Sequence, residues 1–94
     1  MRRLVIGSIL VYLLKEGQGK GQQRPLIVTK VNKNGSPNGK VLLDGANDLG
    51  NEFNTNLEGH AFTVPEDQDG KIPGSWAWPQ SEEVEEVEEE APPA

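Results

Sequence analysis

The chain has 94 residues, no cysteine and a formal charge of −6. That length makes one domain near the lower limit for a self-sufficient core, with no disulfide to assist it. The charge is confined to one end: residues 81–94 hold seven of the fifteen acidic residues and no basic one, so residues 1–80 carry a net +1. A nearly neutral body excludes the strong steering field of a basic nucleic-acid binder or a uniformly acidic protein.

The N-terminus, Met1-Arg2-Arg3 followed by an apolar run to Leu14, has the charged and apolar parts of a signal peptide. Lys15-Glu16-Gly17-Gln18-Gly19-Lys20 follows without an Ala-x-Ala-like site. The run is too short to span a membrane, which takes about 20 apolar residues. Ile9 to Leu14 is apolar on both faces and rich in β-formers, so it reads as a buried first strand. Gly17, Gly19 and Gly21 mark a loop. A phosphate cradle there would need a following Lys-Ser/Thr pair and a helix N-terminus, and neither is present.

Pro25 opens a second strand, Leu26–Val31, in a position that needs no ladder N–H. Asn32 to Gly39 holds Asn-Gly twice and Ser-Pro once, strong turn chemistry, and Lys40–Asp44 returns as the third strand. A polar loop follows to about Glu58. Asp44-Gly45-Ala46-Asn47-Asp48 has part of a calcium-loop pattern, but Gly45 is misplaced for it; a turn held by side-chain-to-backbone bonds is the better reading. His60–Val64 is the fourth strand. After the Pro65–Gly70 loop, Ile72-Pro73-Gly74-Ser75-Trp76-Ala77-Trp78-Pro79 forms a short closing strand.

Five short strands with Gly/Pro-rich turns and no amphipathic helix predict an all-β fold: a small, five-stranded, SH3-like or OB-like partly open barrel over residues 1–80. Residues 81–94 are expected to be a disordered acidic tail, because seven Glu with two Val cannot fold alone. Val11, Ile27, Val31, Val41, Leu43 and Phe62 are the expected core. Trp76 and Trp78, at i and i+2 of an extended segment, share a face and would form one broad aromatic surface. Trp76 is expected to be the more buried. Trp78, Trp76 and Arg24 are the expected partner-binding residues.

No catalytic residue, metal ligand set or cofactor motif emerges. His60 stands alone, without Cys or a second His, and there is no nucleophile-elbow signature. The residues therefore predict a non-enzymatic binding protein. Nucleic acid is the alternative partner, through Lys15, Lys20, Arg24, Lys30, Lys33 and Lys40, with the acidic tail regulating the contact.

The order of motifs resembles a group of small, largely uncharacterised proteins of tailed bacteriophages and prophages. The shared features are an opening β-strand (Leu10-Val11-Tyr12), an Arg-Pro-aliphatic strand (Arg24-Pro25-Leu26-Ile27-Val28), an Asp-Gly-x-Asn-Asp segment (Asp44–Asp48) and a closing Pro-Gly-Ser-Trp-x-Trp (Pro73–Trp78). The Asn32–Gly39 turn, the Asn51–Gly59 loop and the Glu tail are additions. The resemblance implies a phage origin, a place in the virion or the host cytoplasm, and a phage structural or host protein as partner. It implies no catalytic residue.

Overall fold

The computed structural model describes residues 3–79, and the acidic tail lies outside them. Five strands form: β1 (Ile9–Leu13), β2 (Gln23–Val31), β3 (Pro37–Leu42), β4 (Glu58–Ala61) and β5 (Trp76–Ala77). They make one antiparallel sheet in the order β4-β3-β2-β1-β5. The fifth strand returns beside the first, as an SH3-like meander requires, and the sheet stays open between β4 and β5. The fold is thus the expected all-β, partly open one. Among the described residues, no helix is long and apolar enough to cross a membrane.

The core lies on the concave face. Leu10 and Tyr12 of β1, Leu26 and Val28 of β2, Val41 of β3, Ala61 of β4 and Trp76 of β5 form one buried cluster, joined by Leu14 and Val64. Register explains the set: Leu10 opposes Leu26, Leu26 opposes Val41, and Tyr12 opposes Trp76, so these side chains share a face.

This phase corrects most of the expected core. Val41 is fully buried, but Val11, Ile27 and Leu43 are half-buried and Val31 is exposed. Val11 and Ile27 belong to the convex face. Leu43 lies just beyond β3 and packs against the core from its margin. Val31 follows a register shift between Val28 and Lys30, where a bulge ends the clean alternation. Phe62 was expected within a strand, but β4 stops at Ala61 and Thr63 has a positive φ of 50°. The chain turns there, with Asn38 Oδ1 accepting the Thr63 N–H at 2.7 Å, and Phe62 swings out to 69% exposure.

Two glycines of the first loop are required by close approach. A Cβ on Gly17 would overlap the Leu49 carbonyl and the Gly50–Asn51 backbone, and one on Gly19 would overlap Asp48 Oδ1. The loop is therefore pressed onto residues 48–51, where the Gln18 N–H donates to the Leu49 carbonyl at 3.0 Å. Gly17 and Gly19 thus serve this close packing.

Candidate functional site

Arg24 opposes Tyr12, as Trp76 does from the other side, so its side chain points along the concave face toward the barrel's end. A guanidinium in that position needs an anion. The short 3-10 helix Gly45–Asp48 supplies one. Arg24 Nη2 donates to Asp48 Oδ1 at 2.6 Å and Nε to Oδ2 at 2.7 Å, a bidentate pair with side-chain exposures of 13% and 0%. Asp48 Oδ2 also accepts the Asp44 N–H. The Arg24 guanidinium, followed by that N–H, holds the Asp48 carboxyl below its ordinary range, against the opposing effect of burial. Arg24, expected to meet a partner, is thus directed inward as half of the plug that seals one end. The segment read as a turn held by side-chain bonds does contain them, and its last residue makes the longer-range connection.

The tryptophans form a corner rather than one broad surface. Their rings meet edge to face, with centroids 5.6 Å apart and planes at 86°. Trp76 is 5% exposed, and Trp78 is half-buried against the core margin. That ordering of burial is the expected one. Truncating Trp76 to Ala should cost about 3–5 kcal/mol, since its cavity would open the core; Trp78→Ala should cost less. Iodide quenching of single-Trp variants checks the assignment: Trp78 should be quenched more strongly, and the reverse order would contradict it.

Sequence reasoning missed the feature that the open sheet creates. A groove of about 430 Å³ lies beside β4, lined by the end of β4, by Tyr12 at the end of β1 and by the 52–53 and 62–65 segments. Tyr12 and Lys15 stand on one side; His60, Phe62 and Pro65 stand on the other, with Phe53 between them. The Phe62 ring lies 4.7 Å from the His60 ring, and the Phe53 ring 5.8 Å from Tyr12. Phe53 fits because position 59 is glycine: a Cβ there would overlap its ring.

Glu52 is the one carboxylate lining this groove, and its oxygens are occupied. They accept the Tyr12 hydroxyl at 2.8 Å, the Lys15 N–H at 3.0 Å and the Glu16 N–H at 3.1 Å. Burial first, and this carboxylate second, push the Tyr12 hydroxyl well above its ordinary pKa. The arrangement fastens the 49–55 loop to the end of β1. Among the described residues, no three His, Asp or Glu side chains converge to hold a metal. The groove presents the aromatic rings of Phe53 and Phe62 beside His60 and Tyr12.

Two further side chains set loop shape and were not anticipated. Buried Asn51 donates to the Asp48 and Thr55 carbonyls and accepts the Phe53 N–H, which seats Phe53. Asp67 accepts the Lys71 and Ile72 N–H groups at 2.8 and 2.9 Å, and these hold its carboxyl below the ordinary range. The Asp67 loop in turn covers β5, through bonds between Trp76 and the backbone of Pro65 and Asp67.

No family model matches the chain, and no curated protein and no solved structure matches it either.

Proposed function

We propose that this chain is a non-enzymatic accessory protein of a tailed bacteriophage, acting through protein–protein contact in the virion or on a host protein. The observation that carries the contact reading is Phe62: a phenylalanine 69% exposed, its ring tilted against that of His60 on the lining of an aromatic groove. Aromatic side chains at such positions dominate interface energetics, at about 2 kcal/mol or more each. The engaged state of Glu52 favours binding over chemistry.

The phage assignment rests on the resemblance, and the ion pair gives its motifs a physical link. Arg24 of the Arg-Pro strand is bonded to Asp48, the last residue of the Asp-Gly-x-Asn-Asp segment. The two motifs are one structural unit, so they are expected to occur together in a shared fold.

Mass spectrometry of purified virions, combined with affinity capture from infected cells, tests this reading. The expected result is the chain in the particle, or a host protein captured by the native chain and lost with Phe62→Ala. Absence from the particle together with no Phe62-dependent partner would reject it.

One observation favours nucleic acid as a second reading. Lys30 and Lys33, at the end of β2 and in the β2–β3 turn, are exposed, with no acidic residue between Glu16 and Asp44 in the sequence. A gel shift that weakens steeply with salt would support it.

A further inference from the structure

The two edges of the sheet end differently. The outer edge of β5 is covered by its own chain. The Trp76 N–H donates to the Pro65 carbonyl and the Asp67 N–H to the Trp76 carbonyl, with Glu66 and Trp76 bridged in parallel. β4 is the terminal strand at the other edge and, among the described residues, pairs with β3 alone. The phase of that ladder is set at its start, where the Leu43 N–H donates to the Leu57 carbonyl at 2.8 Å. Antiparallel pairs alternate between bonded and non-bonded, so Val41–Gly59 and Gly39–Ala61 are the bonded ones. Glu58 and His60, opposite Leu42 and Lys40, therefore aim their N–H and C=O groups outward. Among the described residues, no strand receives these groups.

An edge of this kind takes an extended strand, and its side chains decide which one. Glu58 and His60 are exposed and share the convex face, where Lys40 Nζ lies 3.4 Å from Glu58 Oε1. A charged edge ordinarily deters pairing. Here the two side chains are complementary and two residues apart, so an antiparallel second copy supplies the complement of each. Register then follows from charge. Glu58 opposite Glu58 would set two carboxylates together. His60 opposite His60 would pair like with like and leave each Glu58 facing position 62, beyond the end of β4. Glu58 opposite His60 completes the backbone bonds of both outward residues and sets a carboxylate against an imidazole twice, about a two-fold axis at Gly59.

We propose that β4 pairs antiparallel with β4 of a second copy of this chain, Glu58 of each strand opposite His60 of the other. One sheet then runs through both molecules and the open edge is hidden. The contact spans a strand of 4 residues, so the dimer is weak and forms reversibly at high concentration. It does not depend on the partner reading above.

The absence of native cysteine permits a test of register. Glu58→Cys and His60→Cys chains are mixed and oxidised. In the proposed pairing the two thiols sit on a bonded pair with Cα atoms about 5.5 Å apart, within disulfide reach. The mixed dimer also keeps one Glu58–His60 pair. Thiols at the same position of two copies lie two residues out of register, beyond the limit of about 7 Å. The mixed disulfide should therefore dominate. A preferred homodisulfide, a statistical mixture or no disulfide at all would overturn the proposal. Sedimentation equilibrium gives a second readout. The native chain should dimerise, His60→Glu should weaken the dimer about tenfold by losing both cross-strand pairs, and His60→Pro, which removes an outward N–H and spares the β3 ladder, should abolish it. Phe62→Ala, which tests the partner reading, should leave the dimer intact, so the two ideas fail separately. A monomer at every concentration, or a dimer indifferent to both His60 substitutions, would overturn the proposal.

Discussion

Asp48→Ala should unfold the domain or bring it close to unfolding. The carboxylate is fully buried and is the bidentate partner of Arg24. Its removal leaves a guanidinium inside the barrel's end without a counter-charge, at a cost of about 3–5 kcal/mol. A domain of this size has a total stability of order 5 kcal/mol, so the loss is a large part of the whole. The paired substitution Arg24→Met/Asp48→Leu removes both charges and should recover most of it. The same pair gives a pH dependence. The Asp48 carboxyl titrates below its ordinary value of about 3.9, so its contribution is complete above that value and is lost as pH falls through the folded-state pKa. Urea denaturation at neutral pH and near pH 2.5 should show a larger acid loss in the native chain than in the paired variant. Equal acid sensitivity, or a stable Asp48→Ala protein, would show that the pair does not seal the end.

Leu26→Ala and Ile27→Ala should differ sharply although they are neighbours in one strand. Leu26 is fully buried between Leu10 and Val41, and a Cβ at Gly39 would overlap its methyl group. Its truncation should cost about 2–5 kcal/mol. Ile27 lies on the convex face opposite Ile9 and Lys40, half-buried, and should lose about 1 kcal/mol. Denaturant midpoints of the two variants check this. A larger loss from Ile27→Ala than from Leu26→Ala would mean that the strand faces the other way.

That pair also shows what the sequence conveys and where it stops. The number and order of strands, the 26–44 hairpin and the closing Trp segment were legible from β-rich runs punctuated by Gly, Pro and Asn. The phase was not. Ile9 to Leu14 is apolar throughout, so alternation cannot say which face is inside, and a one-residue error inverts the set. Arg24 held the missing signal: an Arg two residues before Leu26 and four before Val28 shares their face, so it must either lie outside with them or find a buried anion. Its partner, 24 residues away, could not be chosen among eight carboxylates of the body from spacing alone. Phe62 was misplaced because the run His60-Ala61-Phe62-Thr63-Val64 has strand composition. The strand ends where the Thr63 N–H donates to Asn38 Oδ1 and Thr63 takes a positive φ, and the ring turns to solvent. The groove, built by Phe53, Tyr12 and Phe62 from three separate segments, exists only once the sheet has curled.

The groove beside β4 is where we propose that the protein meets its partner. A photoreactive phenylalanine analogue placed at position 62 tests it most directly, with position 20, exposed in the first loop, as the control. In cells where the protein is naturally made, position 62 should crosslink to one defined protein and position 20 should not. Crosslinking at position 20 but not at 62, or equal diffuse products from both, would contradict the account.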